Sequence, residues 1–198
     1  MDHHLGNLAR YSLELTKQKV EERASIIQAS LQMQVCEFKK FPIVSERWLP
    51  QFDRVLARYP FLVVNGPSGT GKTYFAKWLL GDPAKVFEVN CASTPEPDLR
   101  QFDPLLHDAI LFDEAPPSLV SDQRKLFQAP PCWIDLGCST TNCHKYHVYV
   151  SGVKMIVCTN SWHEACQKLK YKTDFEWLQA NSIVLDVREP MWLPSEGV

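Results

Sequence analysis

The residues best suited to do chemistry in this chain are Gly66-Pro67-Ser68-Gly69-Thr70-Gly71-Lys72-Thr73. Three glycines, a lysine and a hydroxyl at this spacing make a complete phosphate-binding loop. Backbone N–H groups left open at Gly66, Gly69 and Gly71 can wrap a chain of phosphates. The start of the following helix adds its positive dipole end. In such a loop Lys72 reaches the β- and γ-phosphates and the Thr73 hydroxyl holds Mg²⁺. The context is right: Phe61-Leu62-Val63-Val64 reads as a strand, and Tyr74-Phe75-Ala76-Lys77-Trp78-Leu79-Leu80 reads as a helix. A purely structural glycine-rich turn leaves the Gly-Lys-Thr order unexplained. The expected ligand is ATP with Mg²⁺.

Two further strand ends carry matching chemistry. Ala109-Ile110-Leu111-Phe112-Asp113-Glu114 is an apolar run closed by two acids, about forty residues after Lys72. Beside a phosphate loop, Asp113 is placed to coordinate Mg²⁺ and Glu114 to orient the attacking water. Successive strand side chains point apart, so adjacent acids can serve both tasks. Lys154-Met155-Ile156-Val157-Cys158-Thr159-Asn160 is a third apolar run, ending in an amide. Asn160 can hydrogen-bond both the γ-phosphate and the water. The bland readings are solvated acids at a strand end and a turn asparagine.

These groups need strands to hold them. Strands are expected at 61–65, 85–90, 109–113, 146–150, 153–158 and 182–187, and helices at 72–80, 118–127 and part of 161–179. Residues 91–104 read as loop. Strands alternating with helices predict an α/β fold, a P-loop NTPase with a mostly parallel sheet flanked by helices. Ahead of it, residues 1–57 read as an N-terminal helical segment. Val20, Ala24, Ile27, Leu31, Val35 and Phe38 form a stripe within a helix over 7–40. That stripe packs on its own domain or on another subunit. A second helix is expected near Pro50, with Phe52, Val55, Leu56 and Tyr59 on one face and Pro60 ending it. The core spans 58–190 and a tail spans 191–198.

A net charge of −2 gives no global footprint of a nucleic-acid binder, though it leaves room for a local basic loop. The chain has seven cysteines, several in apolar stretches, and no signal peptide. An odd number in that setting points to a reduced intracellular compartment, nucleus or cytoplasm, and away from secretion. No run approaches a membrane span. Cys138, Cys143 and His147 lack any Cys-x₂-Cys pair, which argues against zinc.

The order Gly-Pro-Ser-Gly-Thr-Gly-Lys-Thr, Ile-Leu-Phe-Asp-Glu and Ile-Val-Cys-Thr-Asn within about a hundred residues resembles superfamily 3 helicases. More closely, it resembles the helicase half of replication-associated (Rep) proteins of circular single-stranded DNA viruses and of related integrated elements. The resemblance covers roughly 58–190. It implies an AAA+-like homo-oligomeric ring, usually a hexamer, that hydrolyses ATP and translocates on single-stranded DNA or RNA. It also implies a hairpin reaching into the ring channel. The matching segment runs from Gly137 to Gly152, with His144 and Lys145 for phosphate contact and Tyr146 for base stacking. Arg188, just after the last strand, is the candidate arginine finger, with Arg124 second.

Residues 1–57 are too short and too helical for the nicking domain with which such proteins usually begin. His3-His4 does not match its histidine pair and Tyr11 lacks the catalytic context, so nicking is not expected. Two other classes compete: an AAA+-like protein-remodelling ATPase or nucleotide-switched scaffold, and a small-molecule or nucleoside kinase. Kinases of this fold generally lack the Asp-Glu pair and need an acceptor lid, often arginine-rich. Residues 115–145 contain only Arg124.

Overall fold

The computed structural model describes residues 37–92, 96–137 and 145–193. From Phe38 onward the described residues belong to one compact unit. In chain order the strands are β1 (Phe61–Asn65), β2 (Val86–Asn90), β3 (Ala109–Asp113), β4 (Trp133–Gly137), β5 (Lys145–Tyr149), β6 (Lys154–Thr159) and β7 (Ser182–Asp186). The helices are α1 (Lys72–Trp78), α2 (Pro117–Asp122), α3 (Arg124–Phe127), α4 (Trp162–Gln167) and α5 (Lys172–Asn181).

Five strands pair in the order β2-β3-β6-β1-β7, all parallel. The α/β class expected from the alternation is therefore the observed one, a parallel sheet flanked by helices. Central strands of a parallel sheet are covered on both faces, so their sequences run apolar without a break. Phe61 to Val64 and Ala109 to Phe112 are buried throughout. Alternate residues feed two cores. Phe61, Val63, Ile110, Phe112 and Val157 pack with Phe127, Trp162 and Leu178. Leu62, Val64, Leu111, Ile156 and Cys158 pack with Val44, Trp48, Phe75 and Met191.

Register matters more for function. Asn90 pairs with Asp113, Asp113 with Cys158, Thr159 with Asn65, and Asn65 with Asp186. The five strands thus end at one level. β6 returns to lie between β3 and β1, which opens the crevice where parallel sheets bind ligands.

Several expectations change. The second helix starts earlier, with a wide turn over Ile43–Trp48 and a tight one over Leu49–Asp53. It stops well short of Pro60, and Val55 is 89% exposed. Trp48 anchors this segment to the core, its indole N–H donating to the Pro60 carbonyl at 2.9 Å. Phe38 is not helical but bridges to Trp192. The rest of the expected N-terminal stripe lies outside the described residues. β4 is an addition to the expected strands; it pairs antiparallel with β5 as a separate two-stranded sheet. Helix 118–127 is two helices, broken at Gln123. Among the described residues no helix is long and apolar enough to cross a membrane.

Candidate nucleotide site

β1 delivers the chain into the loop at Gly66. A Cβ there would lie 2.1 Å from the Val187 carbonyl oxygen, so only glycine lets β1 and the end of β7 approach this closely. Gly69 and Gly71 take φ of 80° and 87°, the left-handed region that glycine enters without strain. Pro67, Ser68 and Gly69 form an exposed crest. Thr70 is buried and closes the loop by donating from its hydroxyl to the Pro67 carbonyl at 3.0 Å.

Lys72 is 7% exposed. Its ammonium donates to the Gly66 and Pro67 carbonyls and to Asn160 Oδ1, each at 2.8 Å. A buried ammonium needs such partners. These three use all its donors and fix the amine inside the loop. Asn160 in turn donates from Nδ2 to Glu114 Oε1 at 2.8 Å. One amide therefore bridges the loop lysine and the second acid. The three strand ends read from sequence as one site are brought together.

The two acids do point apart. Thr73 donates from its hydroxyl to Asp113 Oδ1 at 3.1 Å, while Glu114 turns toward Asn160. Glu114 achieves this with φ of 57°. A non-glycine residue there stores about 1–2 kcal/mol of strain. Its backbone N–H still donates to the Cys158 carbonyl at 2.8 Å, extending the β3–β6 ladder one residue past the strand. Burial raises the Asp113 carboxyl above the ordinary carboxylate range. The Thr73 hydrogen bond pulls it back, the Glu88 charge adds to the rise, and Lys77 and Lys72 offset it. Glu88 itself pairs with Lys77 at 2.6 Å. A hydroxyl and a carboxylate side by side suit Mg²⁺, a hard cation that takes one or two protein oxygens and keeps several waters. Among the described residues no group of three or more His, Cys, Asp or Glu side chains is arranged to hold a metal.

The other expected residues divide. Arg188 is exposed and follows Val187, whose carbonyl abuts Gly66, so it emerges beside the loop of its own chain. Arg124 is committed elsewhere: it pairs with Asp174 and lies 5.2 Å from the Trp177 ring centroid. His144, Cys138 and Cys143 lie outside the described residues. Lys145 faces outward on β5. Tyr146 is a correction. Strand alternation turns it inward, where its hydroxyl accepts from Leu99 N–H at 2.7 Å and donates to the Pro97 carbonyl at 3.3 Å. The outward face instead carries Trp133, Asp135, Lys145, His147 and Tyr149. Trp133 and Tyr149 pair across the strands with ring centroids 5.5 Å apart.

One neighbour of the loop is absent from the sequence-based site. The tail residues after β7 return to the loop, and Met191 donates its N–H to the Thr70 carbonyl at 2.9 Å. The signal available was the apolar trio Met191-Trp192-Leu193 between two prolines.

No family model matches the chain, and no curated protein matches it. Among solved structures it is similar to that of NtrX from Brucella abortus in complex with ADP, with a TM-score of 0.42 and 16% identity. The match covers 87% of this chain and 42% of that one.

Proposed function

We propose that the protein is an ATP-hydrolysing motor of the superfamily 3 type, a Rep-like helicase or translocase acting on single-stranded nucleic acid. One observation carries the ATPase part: the Lys72–Asn160–Glu114 chain of hydrogen bonds, with Thr73–Asp113 beside it, at the level ends of three neighbouring strands. Lys72 exchanges its Gly66 and Pro67 carbonyl partners for the β- and γ-phosphates. Thr73 and Asp113 would hold Mg²⁺, which when bound would supply charge neutralisation for the phosphates. Glu114 receives a proton from water as the water oxygen bonds the γ-phosphorus and the bond to the β–γ bridging oxygen breaks. ADP and inorganic phosphate leave. Asn160 touches both the lysine and the glutamate, so it can report phosphate loss to the acid.

The nucleic-acid part rests on the family resemblance and on the hairpin's outward aromatic and basic side chains. Ring assembly, with six subunits as the expected number, rests on the resemblance alone. The remodelling reading has one observation in its favour. Asp135 offsets His147 at 2.7 Å on that hairpin face, leaving Lys145 as its only permanent cation among the described residues.

The test is steady-state ATPase with and without single-stranded DNA, alongside sizing with a slowly hydrolysed ATP analogue. Stimulation by DNA and assembly with nucleotide are expected. Lys72→Ala should abolish turnover. Glu114→Gln should bind ATP yet hydrolyse it at least about a hundredfold more slowly. Normal turnover in Glu114→Gln would remove the water-orienting assignment, and indifference to DNA and RNA would favour remodelling of protein.

A further inference from the structure

We propose that Trp192 is the wall on which the nucleoside of the bound triphosphate stacks, so that the site selects a nucleoside triphosphate over a bare polyphosphate. This deepens the ATPase reading above and rests on it. The backbone that carries the indole is held from several sides. Met191, its neighbour, is fully buried beside Phe75 and Trp48. The Met191 N–H donates to the Thr70 carbonyl at 2.9 Å, and its carbonyl accepts from Lys39 N–H at 2.8 Å. Lys39 pairs with Glu189 at 3.5 Å, and Phe38 bridges to Trp192 itself. The result is contact with the loop: a Cβ on Gly71 would lie 2.7 and 2.8 Å from two carbons of the Trp192 six-membered ring.

Strand order supplies the direction. β3 and β6, which end in Asp113, Glu114 and Asn160, lie on one side of β1. β7 lies on the other, and the tail that carries Trp192 leaves its end and reaches the loop at Thr70 and Gly71. A triphosphate whose γ-phosphate meets the acids must lead its α-phosphate and nucleoside away from them, toward the β7 flank. Trp192 there is half-buried, which leaves part of the residue accessible. Every nucleobase has a π-face, and a fixed aromatic ring binds it without a hydrogen-bond code. The plain alternative is that Trp192 only wedges the tail against the loop. In that case its loss disturbs the loop and weakens phosphate binding with and without a nucleoside.

The experiment is calorimetric titration of the full chain, with Mg²⁺, by ATP and by inorganic tripolyphosphate. The wild type, Trp192→Phe and Trp192→Leu are compared. The wild type should prefer ATP. Trp192→Leu should lose about tenfold in ATP affinity and keep its tripolyphosphate affinity, while Trp192→Phe keeps most of both. Equal loss for the two ligands, or loss for neither, overturns the proposal. If Trp192→Leu does not fold, the wild type decides: less than about a twofold preference for ATP overturns it, and a larger one that Trp192→Phe preserves supports it. Binding of neither ligand by the wild type sinks the nucleotide reading itself. Binding of both without preference sinks only the role of Trp192.

Discussion

Asp113 is a carboxylate that the fold makes costly to ionise. Burial favours its neutral form, and the Thr73 hydroxyl only partly offsets that. A carboxyl whose pKa is higher in the folded than in the unfolded chain binds more protons when folded. Stability therefore falls as pH rises from the ordinary value of 3.8 through the raised one. Without magnesium, Asp113→Asn should melt at a higher temperature than the wild type at pH 7. The gap should narrow as pH approaches the ordinary carboxylate range. The same variant should lose magnesium-dependent nucleotide binding; a lower Tm at neutral pH would contradict burial as the dominant influence on this carboxyl. The convergence of Lys72, Thr73, Asp113, Glu114 and Asn160 was legible because each lies next to a strand end. What the sequence could not display is the Asn160 bridge itself, whose two partners lie 88 and 46 residues away.

At the scale of elements, apolar runs marked six strands well because buried parallel strands leave little else to fit. β4 escaped because Trp-Ile-Asp-Leu-Gly follows two prolines and has only two inward residues, Ile134 and Leu136. Once β4 is in place, alternation fixes the hairpin's two faces. Tyr146→Phe should cost about 1–2 kcal/mol of stability, since it strips the Leu99 N–H of its partner, and should leave nucleic-acid affinity unchanged. Lys145→Ala should do the reverse, weakening binding with little effect on Tm and lowering the salt dependence by about one phosphate contact. Filter binding over a salt series reads the affinities, and thermal melts read the stabilities. The approach of β1 to β7 makes its own prediction. Gly66→Ala pushes a methyl into the Val187 carbonyl and should cost about 2–3 kcal/mol even without nucleotide, measurable by urea unfolding.

Across the whole molecule, the site lies where five parallel strands end and every described strand around it is local to one chain. Arg188 belongs to this picture. A finger that completes a neighbour's site must point away from its own loop, whereas Arg188 leaves β7 directly beside it. Arg188→Ala should therefore slow hydrolysis at least about tenfold. Mixing that variant with Lys72→Ala subunits should restore nothing; recovery in the mixture would assign the arginine to the adjacent subunit. In the sequence Arg188 stood only as a cation near the last strand, because its place beside the loop depends on a β1–β7 pairing that no local pattern encodes.

The buried thiols give the protein a built-in clock. Cys91 is pushed up to about 12 and Cys158 further still, by burial first and then by the negative charge of Asp113. Neither can react with an alkylating reagent while the sheet is closed. Cys158 pairs in register with Asp113 in the middle of the site, so its labelling counts each opening of the central strands. A bound ligand that knits those strands together should lengthen the interval between openings.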